Sequence, residues 1–131
     1  MLNADWGTPG MQAQELRART KKFALDIVRL VESLPRTRVA SILGVQLLRS
    51  GTSVGANYRA ACRGRTPAEF VSKIGIAIEE ADESLYWLEL LAESGAVKPE
   101  MVADLMKEAN ELVAIFTASS KTVRNRARQG R

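Results

Sequence analysis

The sequence predicts an all-α protein, an antiparallel up-down-up-down four-helix bundle. Three observations carry that prediction. Apolar residues recur with a period of about 3.6 rather than 2 along most of the 131 residues. Pro35, Pro67 and Pro99 follow one another at intervals of 32 residues, and proline suits the first turn of a helix and stops its interior. The breaks between the periodic runs are short, so successive helices of ~25 residues must run antiparallel to one another. One domain over residues 1–131 is expected, with helices at roughly 9–33, 37–63, 67–94 and 98–124 and a frayed basic tail after about residue 125.

The first helix shows the period through Leu16, Thr20, Phe23, Ile27, Leu30 and Leu34, and Leu34-Pro35-Arg36-Thr37 ends it. The second is less regular, with Val39, Ile42, Leu43, Leu47, Val54 and Ala61. On a helical wheel Leu43, Leu47, Val54 and Ala61 form its core side. Gly44, Gly51 and Gly55 each weaken it by about 0.5–1 kcal/mol relative to alanine, so a break near Gly51 is an alternative. Its end is strongly marked. Gly64 suits a left-handed residue after the last turn, Thr66 caps the next helix, Pro67 opens it, and Glu69 completes a capping box. The third helix reads Phe70, Ile74, Ala77, Ala81, Leu85 and Leu88, and Gly95 with Pro99 marks its end. The fourth reads Val102, Leu105, Ala109, Leu112, Phe116, Ser119 and Val123.

Composition removes much enzyme chemistry. There is no histidine, which excludes Ser-His and Cys-His nucleophile pairs and histidine-containing metal sites. Cys62 is the only cysteine, so neither an intrachain disulfide nor a cysteine-cluster zinc site can form. It sits among alanines as a packing residue. Glu79, Glu80, Asp82 and Glu83 crowd helix 3, but bundle di-iron sites need Glu-x-x-His pairs. Gly51-Thr52-Ser53-Val54-Gly55 lacks the lysine and spacing of a phosphate loop. No catalytic residue, metal site or cofactor is expected. The first ten residues carry an acid and no apolar h-region, and no stretch has a membrane-spanning length of apolar residues, so the expectation is a cytoplasmic protein with no membrane role.

Charge is distributed in blocks. The net charge is +4, but residues 33–68 hold six arginines and no acid, residues 69–111 hold eleven acids against three lysines, and residues 112–131 hold five bases and no acid. Blocks of this kind point to complementary faces or a polyanionic partner. On helix 2, Arg38, Arg49, Arg59 and Arg63 fall within about 80° of one another, opposite the core. With Lys121, Arg124, Arg126 and Arg128 they form the candidate surface for a nucleic-acid backbone. The competing reading has these arginines meet acidic residues of helix 3, within the chain or in a neighbouring subunit.

Two features point to self-association. The run Leu85-Tyr86-Trp87-Leu88-Glu89-Leu90-Leu91 is apolar nearly all round, and such a helix is buried on more than one side. Tyr86, Trp87, Leu90 and Leu91 are therefore expected at a subunit interface. Gly44, Gly51 and Gly55 align on a flank of helix 2, where another helix, of this chain or of another subunit, can approach closely; they join the candidate interface. Gln46, Ser50, Ser53 and Asn57 form a polar line on the other flank, expected to hydrogen-bond a neighbouring helix.

The stretch Gln46-Leu47-Leu48-Arg49-Ser50-Gly51-Thr52-Ser53-Val54-Gly55-Ala56-Asn57-Tyr58-Arg59, with Arg63-Gly64-Arg65-Thr66-Pro67-Ala68-Glu69-Phe70, resembles the four helix bundle protein family first met in intervening sequences of bacterial large-subunit ribosomal RNA genes. Ile74-Gly75-Ile76-Ala77, Glu83-Ser84-Leu85, Phe23-Ala24-Leu25 and Leu34-Pro35 continue the likeness over about residues 20–120. Many members have isoleucine-proline where Val54-Gly55 stands here. The resemblance implies a small bundle that assembles into a ring, typically a homopentamer. A group related to this family comprises accessory proteins of diversity-generating retroelements, which are basic, bind nucleic acid and associate with a reverse transcriptase. No enzymatic activity is implied. The reading that results is a non-enzymatic oligomeric bundle that binds RNA or DNA through arginine-rich faces, as an adaptor to a nucleic-acid enzyme; its alternative is an assembly module with no nucleic-acid role.

Overall fold

A computed structural model describes residues 13–130. Four helices follow in order: α1 Ala13–Glu32, α2 Arg38–Cys62, α3 Pro67–Glu93 and α4 Pro99–Gln129. The start expected at residue 9 lies outside the described residues. In α1 and α3 the buried residues alternate steps of three and four, and α4 follows the same steps with Ser120 buried beside them. They are Ala13, Leu16, Thr20, Phe23, Ile27 and Leu30 in α1, and Phe70, Ile74, Ala77, Ala81, Ser84, Leu88 and Leu91 in α3. In α4 they run Val102, Leu105, Ala109, Leu112, Phe116, Ser119 and Val123. That step pattern lays one apolar seam along each helix, the packing of a left-handed bundle.

The seam of α2 differs from the expected one. It passes through Ala40, Gly44, Leu47, Gly51, Val54, Tyr58 and Ala61. Leu43 is only half-buried, and Val39 and Ile42 are exposed (55% and 57%). Two seam positions are glycines, which a hydrophobicity pattern does not register. A Cβ on Gly44 would lie 2.9 Å from Leu34 Cδ1, one on Gly51 2.4 Å from Ile27 Cδ1, and one on Gly55 3.1 Å from Thr20 Oγ1. Close approach to α1 is what these positions require. The three pairs run in opposite sense along the two helices, so α1 and α2 are antiparallel. The helix is unbroken at Gly51.

In α3 the seam takes Ser84 in place of the expected Leu85, which lies beside it, half-buried. Ser84 is accommodated by a hydrogen bond of 2.9 Å to Ser50 of α2 and by donation to the Glu80 carbonyl at 2.8 Å. Ser50 is thus the member of the polar line that crosses to a neighbour; Ser53 and Asn57 bond to backbone carbonyls of their own helix. Ser50 and Ser84 sit almost symmetrically about the short turn after Cys62, which makes α2 and α3 antiparallel. Tyr58 stacks on Phe116 of α4 with ring centroids 5.3 Å apart. Cys62 is a free, buried thiol.

The helix boundaries follow local chemistry. Thr37 Oγ1 accepts from Ala40 N and Thr66 Oγ1 from Glu69 N, each at 3.1 Å. The capping box reaches one residue further back than expected, with Arg65 N donating to Glu69 Oε1 at 2.7 Å. Gly64 is not left-handed: Gly95, at φ 80°, is the glycine with positive φ among the described residues. Gly64 is needed for space, since a Cβ there would lie 3.1 Å from both Ala61 O and Phe70 N. The tail expected to fray after residue 125 is helical to Gln129.

α1 meets α4 less closely than α2 meets its neighbours. Arg19 bridges the wider gap. Its Nε and Nη2 donate to the two carboxylate oxygens of Glu108 at 2.7 and 2.8 Å, and Nη2 also reaches Glu111 at 2.6 Å. These bonds, those to Glu108 first, hold the guanidinium proton more tightly than usual.

Candidate nucleic-acid interface

The antiparallel hairpins bring separate stretches of sequence to one end of the bundle. Gly55 faces Thr20, so the first turns of α1 lie beside the last turns of α2. Tyr58 stacks on Phe116, so the end of α4 lies there too. A groove of about 250 Å³ between α1 and α2 is lined by Arg17, Lys21 and Arg59, with Thr20, Thr52 and Gly55 among its other walls and no acid. None of these three cations forms an ion pair with a described residue. Further along α1 the bases are neutralised: Lys22 and Arg29 both pair with Asp26, at 2.7 and 3.1 Å.

Arg63 and Arg65 continue the basic end, both exposed. Seven residues beyond the Tyr58–Phe116 stack, α2 has given way to its turn while α4 has reached Val123. Residues 124–129 therefore extend past the end of α2. Lys121, Arg124 and Arg128 share one stripe of α4 within about 60°, and Arg126 points roughly the opposite way; all four are exposed.

The α2 arginine face divides in the structure. Arg59 and Arg63 belong to the basic end. Arg49 ion-pairs with Glu80, at 3.4 Å, and with Glu83 of α3 in the same chain, so it is not a free phosphate contact. Arg38 is exposed but stands at the opposite end of α2, about 32 Å of helix from Arg59. Arg17 and Lys21 were not among the sequence candidates. Their signal was present as four bases within residues 17–22, but it disappears when charge is averaged over the whole first helix.

The candidate interface residues also separate. Leu91 is fully buried in the chain's own core, and Gly44, Gly51 and Gly55 are occupied by α1 of the same chain. Trp87 is half-buried, packs on the core and donates from Nε1 to Glu83 Oε2 at 3.1 Å. Leu90 is half-buried, and Tyr86 is exposed (53%). Ile42 and Val45, outside the candidate set, are the more exposed apolar residues.

Residues 13–118 match the family model described as 23S rRNA-intervening sequence protein. The chain belongs to this family. A solved structure of a protein of unknown function from the S23 ribosomal protein family of Bacteroides thetaiotaomicron has the same fold. It is 33% identical, with a TM-score of 0.78, and the match covers 83% of this chain and 97% of that one. No curated protein matches. Neither the family's description nor the neighbour's names an enzymatic activity. Among the described residues no group of three metal-binding side chains comes together, and no helix is long and apolar enough to cross a membrane.

Proposed function

We propose that this protein is a non-enzymatic member of the family that binds the sugar-phosphate backbone of RNA or DNA with the basic end of its bundle, and that it acts as an assembly of copies. The observation that carries the reading is the acid-free groove of Arg17, Lys21 and Arg59, continued by Arg63, Arg65 and the α4 stripe of Lys121, Arg124 and Arg128. Unpaired guanidinium and ammonium groups on neighbouring helix ends suit phosphates, which they meet by releasing counterions. The bases carry no aromatic or groove-reading motif, so the binding is of backbone and not of sequence. By the family's relation to retroelement accessory proteins, the reading extends to an adaptor that delivers nucleic acid to an enzyme such as a reverse transcriptase in the cytoplasm.

The test is fluorescence anisotropy with a labelled RNA and the matching DNA, from about 50 to about 200 mM salt. Affinity should fall linearly on a log–log scale. Arg17→Ala, Lys21→Ala and Arg59→Ala should each lower the slope by about 1, while Arg38→Ala leaves it unchanged. No binding at low salt, or an affinity indifferent to salt, overturns the reading in favour of an assembly module without a nucleic-acid role.

A further inference from the structure

The groove between α1 and α2 gathers more positive charge than one backbone phosphate uses. Arg17 and Lys21 stand four residues apart on one face of α1, and Arg59 faces them from α2. The contact between Gly55 and Thr20 sets the register of the two helices. Counting away from it in opposite directions, Arg59 is level with Leu16, one position from Arg17, and Lys21 stands one turn nearer the middle of the bundle. Ala24, Gly55 and Ala56 are the small wall positions that leave about 250 Å³ open among the three cations. That space is below the range of about 300–1,000 Å³ that takes a drug-sized ligand, so its occupant is a small group.

The side-chain donors left free in the groove are all cationic. Thr20 donates its hydroxyl proton to the Arg17 carbonyl at 3.1 Å, and Thr52 donates its own to the Leu48 carbonyl at 2.8 Å. No carboxylate lines the groove, so its three positive charges repel one another until an anion enters. A phosphodiester within a strand brings one negative charge and two unbridged oxygens. A phosphomonoester brings about −1.5 to −2 charges at pH 7 and three strong acceptor oxygens. The monoester therefore offers each of the three cations its own charge-assisted hydrogen bond.

The cations also continue on one side only. Toward the basic end, Arg63 and Arg65 follow Arg59, and Lys121, Arg124 and Arg128 of α4 lie beyond them, all exposed. Toward the middle of the bundle the same groove runs past Ala24 and Thr52 to Leu48, Val31 and Val45, and the next cation to line it is Arg36, in the turn after α1. A strand lying across the basic end finds phosphate partners up to the groove and an apolar wall past it. The track stops there.

We infer that the groove of Arg17, Lys21 and Arg59 takes the terminal phosphate of a nucleic-acid strand, a phosphomonoester, while the other cations of the basic end hold the phosphodiesters that lead up to it. The inference rests on the backbone binding proposed above and adds to it a preference for phosphorylated ends. A 5′-phosphate, a 3′-phosphate and free inorganic phosphate share this chemistry. The free ion forgoes every contact to the rest of the basic end, so a strand terminus is the better ligand.

The experiment is fluorescence anisotropy of the full chain with single-stranded RNAs of one sequence and one internal label, ending in hydroxyls at both termini, in a 5′-phosphate or in a 3′-phosphate. At low salt a phosphorylated RNA should bind roughly tenfold more tightly than the hydroxyl-ended one, and the terminus that gains is the one the groove takes. Arg17→Ala and Arg59→Ala should each pull that ratio toward one with helical circular dichroism unchanged. Arg124→Ala should weaken all the RNAs alike and keep the ratio. Inorganic phosphate, added as competitor, should remove the ratio before it displaces the hydroxyl-ended RNA. Equal affinities for all the RNAs overturn the inference and leave backbone binding standing. A ratio that survives Arg17→Ala combined with Arg59→Ala overturns it as well. Inorganic phosphate that displaces every RNA at one concentration overturns it in favour of a free-phosphate site. If none of the RNAs binds, the proposed function falls and the end preference falls with it.

Discussion

Gly51 and Gly75 both sit in helix interiors, and replacing each with alanine should move stability in opposite directions. Helix propensity alone favours alanine at either position by about 0.5–1 kcal/mol. At Gly75 nothing lies within 4 Å of a Cβ, so that gain should appear whole. At Gly51 the new methyl would meet Ile27 at Cδ1 (2.4 Å), Cγ2 (3.2 Å) and Cγ1 (3.4 Å). Cδ1 alone could swing aside. Cγ2 cannot, because a β-branched side chain in a helix holds one χ1 rotamer and Ile27 is fully buried. Relief must come from moving α1 away from α2, and overpacking of that kind costs about 1–3 kcal/mol. The net expectation is a loss of up to about 2.5 kcal/mol for Gly51→Ala against a gain of about 0.5–1 kcal/mol for Gly75→Ala. Urea unfolding followed by circular dichroism at 222 nm reads both, with the slope of the transition as the check on a common unfolded state. A stabilised Gly51→Ala would show that α1 and α2 do not approach as described, and the α1 side of the bundle would need redrawing.

Other outcomes follow from single contacts. Ser50→Ala should cost about 1 kcal/mol, whereas Ser50→Ala with Ser84→Ala should cost less than the sum of the singles, since no buried hydroxyl is then left short of a partner; a double-mutant cycle by urea unfolding measures it. Arg19→Met should destabilise the chain by about 1–2 kcal/mol, because the forked contact to Glu108 and Glu111 is partly exposed and solvent weakens it. The Arg19 proton is bound more tightly in the fold than in the unfolded chain. Its contribution is therefore complete below the ordinary arginine range and disappears only above it, so alkaline titration to pH 10 should not release it. Thr66→Ala should cost about 1 kcal/mol by removing the α3 cap, read as a lower thermal midpoint.

The fold was legible because its punctuation is chemical. Pro67 after Thr66, and Glu69 after both, mark the α3 start in sequence and occupy those roles in space. The three-four seams of α1 and α4 could be read directly, since nearly all their positions hold apolar side chains. The seam of α2 could be read at Leu47, Val54 and Ala61 but not at Gly44 and Gly51, where the packing partner is the backbone itself, and Leu43 of the expected face stands beside Gly44, half-buried. In α3 the serine at 84 is buried only because Ser50 stands opposite, a pairing that no single-helix pattern contains. The same blindness to neighbours misassigned Leu91, whose apolar surroundings look like surplus until the core that it fills is known.

The candidate site was half legible for a different reason. Charge blocks along a chain become patches only through topology, and a helix about 37 Å long carries its first and last arginines to opposite ends of the molecule. Arg38 and Arg59 share a helix face yet serve different neighbourhoods. In space, Arg59 joins Arg17 and Lys21, which no segment-wise charge count would group with it. Arg38 instead falls beside the exposed apolar residues of α2. This division would have an energetic consequence for the proposed assembly of copies, were its basic ends to share one side. Such ends would repel one another over about a Debye length, ~10 Å at 0.1 M salt. A polyanion spanning several basic ends would remove that repulsion and bind an assembly better than separate chains. Mass action would then make nucleic acid and assembly reinforce each other: RNA should raise the assembled fraction at a fixed protein concentration. An RNA that bound while leaving that fraction unchanged would mean that the basic ends are too far apart to feel one another.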